Sequence, residues 1–131
     1  MRPTWAVIDL DAIAANVACF DELVGDAELC AVVKADGYGH GAVPVARTAL
    51  RAGATWLAVA LVEEAAELRR EGIEAPILVL SEPRPAEMAE VAGLSGVRPT
   101  VYTFAGVEAF AAVADPGSPV HLKVDTGMHR M

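Results

Sequence analysis

Lysine is scarce in this chain of 131 residues. It occurs at Lys34 and Lys123 alone, and arginine carries the remaining positive charge. Lys and Arg total 10 against 18 Asp and Glu, which gives a formal net charge of −8. Because no cluster of Lys and Arg is present to neutralise phosphates, the composition predicts no nucleic-acid partner.

Long apolar runs are also missing. No stretch approaches the roughly 18 residues of a membrane span, and Asp9 and Asp11 interrupt what could otherwise be the apolar region of a secretory signal. We therefore expect a cytoplasmic protein with no membrane partner.

Cysteine and histidine are few, with two and three residues respectively. Cys19 and Cys30 lack C-x-x-C spacing, and we expect both thiols to be reduced and buried. The histidines and carboxylates show no recognisable ligand spacing, so the sequence gives no reason to infer a metal.

What the chain does contain is an apolar run that ends in a lysine. Residues 29–33 are apolar and bounded by turn signals, a pattern typical of a strand buried on both faces of a parallel sheet. Lys34 then stands at the carboxyl end of that strand, where the loops of parallel α/β folds gather into a site. Partial loss of hydration there favours the neutral amine, the form that attacks a carbonyl. Gly37, Gly39 and Gly41 follow, and glycine lets the backbone approach a ligand closely.

Strand-like and helix-like segments alternate along the chain. The expected strands cover residues 4–10, 29–33, 56–60, 77–80, 98–102 and 120–124. The expected helices are one capped by Asp11 and ended by Gly25, then 42–52, 63–71, a short one ending at Gly93, and 104–114. From the Lys34 strand onward, strands recur roughly 21 to 26 residues apart, which indicates βα units and a parallel sheet with right-handed crossovers. That period suits a (β/α)8 barrel; a doubly wound open sheet is the alternative, but no G-x-G-x-x-G follows a strand.

Three stretches together resemble one family. Residues 33–41, VKADGYGHG, resemble the cofactor-lysine motif of alanine racemases, which are pyridoxal-phosphate enzymes. Residues 120–130, VHLKVDTGMHR, resemble the downstream motif of the same family, and residues 5–13 with Asn16 resemble its start. The resemblance therefore covers the whole chain.

The resemblance implies a TIM-barrel fold of which about five of the eight βα units are encoded here. It implies that residues 1–131 are the N-terminal part of the pyridoxal-phosphate-binding barrel, and that the strand at 4–10 pairs with a C-terminal β-domain that the chain does not contain. In the full-length enzyme a homodimer is expected, because the family's second catalytic base is a tyrosine from the partner subunit's C-terminal domain.

The resemblance also assigns roles to individual residues. Lys34 would hold pyridoxal 5'-phosphate covalently and then act as a base at the α-carbon of the substrate. Tyr38 matches a tyrosine that hydrogen-bonds the cofactor phosphate, and Leu80 matches an apolar position beside the cofactor. Arg130 matches an arginine at the phenolic oxygen and the substrate side, and Lys123 matches a lysine that is carbamylated in some members and holds that arginine. Each has a plainer interpretation: Tyr38 as a half-buried loop residue, Leu80 as core, and Lys123 as the partner of a nearby carboxylate.

Two histidines lie inside these motifs. His129 occupies a position where many members have glycine, and His40 is expected to cap the glycine-rich turn or the helix after it. We assign no catalytic histidine.

The function implied by the resemblance is interconversion of L-alanine and D-alanine, which supplies D-alanine for the bacterial cell wall, with the isolated chain inactive. One alternative is a non-catalytic pyridoxal-phosphate carrier on a related single-domain barrel, although such proteins lack the motif from Lys123 to Arg130. A decarboxylase of the same fold is disfavoured on the same motifs. A broad-specificity amino-acid racemase also stays open.

Overall fold

Five parallel strands form a single sheet in this computed structural model, which describes residues 2–130. The strands are β1 (Cys30–Val32), β2 (Trp56–Val59), β3 (Ile77–Val79), β4 (Val97–Val101) and β5 (His121–Leu122). They lie in the order β1-β2-β3-β4-β5, and each neighbouring pair is parallel. A doubly wound sheet reverses its strand order at a switch point, whereas a barrel adds each strand beside the previous one. The expected α/β barrel architecture is therefore confirmed, as a partial barrel.

Helices follow the strands as the alternating pattern predicts. They are α1 (Leu10–Val24), the single turn α2 (Lys34–Gly39), α3 (Ala42–Arg51), α4 (Val62–Arg70), α5 (Met88–Gly93) after a 3-10 turn (Pro85–Glu87), and α6 (Phe104–Ala111). Gly25 directly follows α1 and Gly93 is the last residue of α5, as expected. None of the helices within residues 2–130 is long and apolar enough to cross a membrane.

The predicted strand at residues 4–10 is wrong. Residues 2–9 carry no strand, and α1 begins at Leu10. The helix is capped by Asp9 rather than by Asp11, because the Asp9 carboxylate accepts a hydrogen bond from the Ala12 N–H at 2.9 Å. A strand needs a neighbour to pair its backbone groups, and the described residues place none beside this segment.

The core lies between one face of the sheet and the helices that cover it. Leu57, Val59, Ile77 and Val79 point from the strands into this layer, and each is at most 1% exposed. The helices contribute the buried side chains of Ala46, Ala65, Leu68, Met88, Val91 and Phe110. This layer holds the strand ends, and with them the loops, in fixed positions.

The opposite face of the sheet, which is the inner face of the partial barrel, is less covered. Trp56 contacts both Arg98 and His121 there, with the Arg98 guanidinium 4.5 Å from the Trp56 ring centroid and the His121 ring edge-on to Trp56 at 6.0 Å. All three are partly exposed.

The prediction that the Lys34 strand is buried on both faces is also wrong. In β1, Cys30 and Val32 are exposed and Ala31 is half-buried, because Cys30 and Val32 lie on the less covered face of the described sheet, in a strand at its edge. The two thiols are free, as expected, but Cys19 on α1 and Cys30 on β1 are both exposed rather than buried. Residues of α1 are nowhere fully buried, which explains the exposure of Cys19.

Candidate active site at the carboxyl ends of the strands

A cavity of about 630 Å³ opens at the carboxyl ends of the strands. Four of the five residues singled out from the sequence line it: Lys34, Leu80, Lys123 and Arg130. Tyr102 also lines it, from the loop after β4. The topology therefore gathers side chains that are far apart in the sequence into one site at the end of the sheet where barrel enzymes bind their substrates.

Lys34 reaches this cavity from a left-handed turn. Ala35, Asp36, Gly37 and Tyr38 have φ values of +51°, +53°, +60° and +56°. For residues other than glycine this conformation costs about 1–2 kcal/mol each, and only Gly37 among the four is glycine. A strained turn of this length persists only where its surroundings hold it in place.

Several hydrogen bonds hold the turn. The Asp36 carbonyl accepts from the Gly41 N–H at 2.8 Å, and the Asp36 carboxylate accepts from the Ala42 N–H at 2.7 Å, at the start of α3. The His40 Nδ1 lies 3.0 Å from the Gly37 carbonyl, which agrees with the expected capping role of this histidine. A side chain at Gly37 would come within 3.3 Å of both the Ala42 nitrogen and the Val45 side chain, so this position combines a positive φ with little space.

Tyr38 lies beside the cavity rather than in its lining. Its side chain is exposed, at 59%, and the Lys34 Nζ lies 6.0 Å from its ring centroid. This distance is at the outer limit of a cation–π contact. The phenol is therefore close to Lys34 and open to a ligand from solvent.

Two glutamates that the sequence analysis left unassigned connect the loops around the cavity. Glu64 lies in the expected helix at residues 63–71; its Oε1 accepts from the Ala35 N–H at 2.6 Å, and its Oε2 accepts from the N–H groups of Ala60 at 2.8 Å and Leu61 at 3.0 Å. No clear signal in the sequence identifies it, because Leu61, the N-cap three residues earlier, is not one of the residue types that mark a capping box.

Glu82 makes the equivalent connection to the next loop. Its Oε2 accepts from the N–H groups of Tyr102 at 2.6 Å and Thr103 at 2.9 Å, and its Oε1 accepts from the Thr103 hydroxyl at 2.7 Å. Burial raises the pKa of the Glu82 carboxyl, but the hydrogen bonds from Tyr102 and Thr103 outweigh burial and lower the pKa overall. The carboxylate is therefore ionised at neutral pH, the form that accepts all three bonds.

The segment after β5 carries the other cationic groups. The Lys123 N–H donates to the Val101 carbonyl at 2.9 Å, which extends the pairing with β4. Asp125 then accepts from the N–H groups of Gly127 at 2.9 Å and His129 at 3.1 Å, and the bond from Gly127 is the main reason that the pKa of Asp125 is lowered. His129 has a φ of +52°, a conformation that favours glycine. Arg130 therefore follows directly after a left-handed residue.

Three cationic side chains therefore share one cavity, those of Lys34, Lys123 and Arg130. Asp125 lines the cavity as well, so the positive charges outnumber one negative charge, which favours an anionic ligand; the primary amine of Lys34 adds a group able to react with a carbonyl. Within residues 2–130, no group of three or more His, Cys, Asp and Glu side chains is placed to hold a metal ion.

Sequential parallel βα units with a lysine-containing cavity at the carboxyl ends of the strands define the class of protein: a barrel-type α/β protein whose site lies where barrel enzymes carry theirs. Residues 8–131 match the family model described as alanine racemase, N-terminal domain. The chain belongs to the alanine racemase family.

Curated relatives agree with this assignment. The chain is 51% identical over 137 aligned residues to an alanine racemase of Symbiobacterium thermophilum, covering 100% of this chain and 35% of that protein. It is 50% identical over 133 residues to an alanine racemase of Geobacillus stearothermophilus, covering 99% of this chain and 34% of that protein. The chain spans about a third of the length of these relatives.

Solved structures show the same likeness in three dimensions. Alanine racemase from E. faecalis superposes with a TM-score of 0.84 at 41% identity, covering 95% of this chain and 34% of that one. Alanine racemase from Streptomyces coelicolor gives a TM-score of 0.86 at 38% identity, covering 94% of this chain and 34% of that one. The alanine racemase from Bacillus anthracis with bound L-Ala-P superposes with a TM-score of 0.82 at 41% identity, covering 99% of this chain and 35% of that one.

Proposed function

We propose that this chain is the N-terminal part of an alanine racemase that interconverts L-alanine and D-alanine with pyridoxal 5'-phosphate. The observation that carries the proposal is the cavity in which the Lys34 amine, at the end of β1, is joined by Arg130 from the segment after β5. Residues 1–131 would then form the first part of the cofactor-binding barrel, and D-alanine for peptidoglycan would be the product that the cell uses.

The residues present fit the cofactor. Pyridoxal phosphate is an aldehyde that carries a phosphate and a phenolic oxygen, so it needs an amine, hydrogen-bond donors and positive charge. If the cofactor binds here, Lys34 would hold its aldehyde carbon, Tyr38 would donate to its phosphate, Leu80 would lie beside its ring and Arg130 would stabilise its phenolic oxygen. When bound, the cofactor withdraws electrons from the α-carbon of the amino acid and so makes its proton removable.

Each of this chain's residues has a distinct task in that reaction. The Lys34 amine would take or return the α-proton on one face of the substrate. The Arg130 guanidinium has a fixed charge, so it stabilises anionic oxygen at both the cofactor and the substrate without losing a proton. Lys123 lines the same cavity, and as its carbamate, which is an anion, it would hold the arginine in place.

Racemisation also needs a group on the opposite face of the substrate. In the proposed enzyme this second base comes from the partner subunit of a homodimer, and the enzyme is cytoplasmic. The relatives are about three times as long as this chain, which leaves ample sequence for the remaining strands and a second domain. A racemase acting on a wider range of amino acids would use the same first base, and a pyridoxal-phosphate carrier would use the same lysine without turnover.

Reduction and peptide mapping test the proposal. The full-length protein is loaded with pyridoxal phosphate and reduced with borohydride, and its peptides are analysed by mass spectrometry. We expect a pyridoxyl adduct on Lys34. The two lysines of this segment supply a matched pair of variants: Lys34→Arg should abolish the adduct and Lys123→Arg should keep it.

An adduct on Lys123, or none in residues 1–131, would reject the assignment. Formation of D-alanine from L-alanine by the same preparation separates a racemase from a carrier, and a panel of other L-amino acids separates an alanine racemase from a broad-specificity enzyme.

A further inference from the structure

We propose that Glu64 is a positioning residue for Lys34. Its carboxylate joins the left-handed turn that begins at Lys34 to the loop between β2 and α4, and it thereby sets where the Lys34 amine stands in the cavity. The inference deepens the proposed function, because it takes Lys34 to be the residue that holds the cofactor.

The turn follows Val33, whose N–H donates to the Ala58 carbonyl of β2 at 2.8 Å, and Glu64 adds a further connection to a neighbouring element. The bonds made by Asp36, Gly37, His40 and Gly41 run between residues 33 and 42, so they maintain the shape of the turn. The bond from the Ala35 N–H to Glu64 spans 29 residues of sequence and reaches a different element. Ala35 is the first left-handed residue and directly follows Lys34, so this bond acts where the chain leaves the strand.

The Glu64 carboxylate is well suited to this task. Each of its two oxygens accepts from a different segment: Oε1 accepts from the Ala35 N–H in the turn, and Oε2 accepts from the N–H groups of Ala60 and Leu61 in the loop before α4. Since Glu64 lies in the first turn of α4, the helix dipole favours its negative charge there. Ala60 itself lines the cavity, so the same carboxylate connects two walls of the site.

Glutamine at this position removes one acceptor while it preserves the size of the side chain. Only one of its two terminal atoms accepts a hydrogen bond, so either Ala35 or the pair Ala60 and Leu61 must face an NH2 donor. Asp and Ala are less informative substitutions, because the first shortens the side chain and the second removes it altogether.

The experiment measures hydrogen exchange in the turn, cofactor attachment at Lys34 and turnover separately in the full-length protein. Hydrogen exchange of the cofactor-free protein is followed in peptides covering residues 34–40 and 60–64. The rate at which pyridoxal phosphate attaches to Lys34 is followed by borohydride trapping, and kcat and KM are measured for alanine. For Glu64→Gln we expect faster exchange around Ala35, slower attachment at Lys34 and a lower kcat, each on the order of tenfold, with a smaller change in KM.

Two variants serve as matched controls. Glu63→Gln changes the adjacent, exposed residue of α4 and should match the wild-type protein in all these measurements. Glu82→Gln replaces the equivalent carboxylate on the next loop with an amide. Hydrogen exchange should therefore rise around residues 102–103, while hydrogen exchange around Ala35 stays unchanged.

A role for Glu64 limited to capping α4 gives a different result. Exchange would rise at residues 60–64 and the melting temperature would fall, but exchange around Ala35 and attachment at Lys34 would match the wild type, and this outcome overturns the proposal. Unchanged attachment despite faster exchange around Ala35 overturns it as well. If the wild-type protein itself takes no cofactor on Lys34, the proposed function fails, while the exchange at Ala35 still decides whether Glu64 holds the turn.

Discussion

Arg130 places a fixed charge at the edge of the cavity, on a segment whose shape depends on its neighbours. Asp125 holds the backbone of this segment through the N–H groups of Gly127 and His129, and the left-handed His129 directs the chain into Arg130. In the proposed function such a residue acts on a bound anion and takes no part in covalent attachment, which is assigned to the Lys34 amine.

Loss of the fixed charge of Arg130 should therefore affect turnover more than cofactor loading. In the full-length enzyme, Arg130→Ala should lower kcat by about 10²-fold, while cofactor loading, read from its absorbance, changes much less. Arg130→Lys should also be impaired, because a point charge does not reproduce the planar guanidinium fork. Arg84→Ala is the control, since Arg84 is exposed, pairs with Glu87 and does not line the cavity. Turnover of Arg130→Ala at the wild-type rate would remove Arg130 from the site.

At the scale of elements, the Glu82 carboxylate joins two neighbouring loops and lies close to the backbone of α6. Glu82 connects the segment after β3 to the start of α6, where the Thr103 hydroxyl caps the helix by accepting from the Gly106 N–H at 2.9 Å. A methyl group at Gly106 would lie 2.5 Å from the Glu82 carboxylate. The absence of a side chain at Gly106 is thus what allows Glu82 to reach Tyr102 and Thr103.

Gly106→Ala should therefore destabilise the protein, although the same change in an unobstructed helix is stabilising by about 0.5–1 kcal/mol. Displacing Glu82 from its bonds should lower the free energy of unfolding by about 1–3 kcal/mol, measured by chemical denaturation. Gly93→Ala is the matched control in α5, because nothing lies within 4 Å of a methyl group there, and its stability should equal or exceed that of the wild type. In a Glu82→Ala background the penalty of Gly106→Ala should vanish; a penalty that persists would show that the carboxylate is not its cause.

At the scale of the whole molecule, the described sheet has two open edges and a partly uncovered inner face. β1 pairs with β2 alone and β5 with β4 alone, and Leu122 and Val124 are 70% and 67% exposed. Unpaired strand edges and exposed apolar side chains favour association with other chains.

Residues 1–131 expressed alone should therefore associate, bind a dye that reports exposed apolar surface, and form no D-alanine. Size-exclusion chromatography, dye fluorescence and a D-alanine assay measure these properties, with the full-length protein as the comparison. A monodisperse, dye-negative and active preparation of residues 1–131 would contradict both the open edges and the need for a second base.

The sequence alone determined the order of the elements and the place of the lysine. Apolar runs separated by helical periodicity predicted β2, β3 and β4 to within one residue at each end, and the glycines after the helices marked where helices such as α1 end. These signals are local: a strand's apolar run and a helix's last turn depend on neighbours a few residues away. The position of Lys34 at a strand end follows from the same local pattern.

Features that depend on residues far apart in the sequence were decided only by the tertiary structure. Residues 4–10 have strand-like composition but no described neighbour to pair with, and β1 is exposed because it lies at the edge of the sheet. The left-handed turn from Ala35 to Tyr38 is unfavourable for the residues that form it, so local propensity could not predict it. Its bond from the Ala35 N–H to Glu64, 29 residues further along the chain, is a contact that arises only when the βα units have packed side by side.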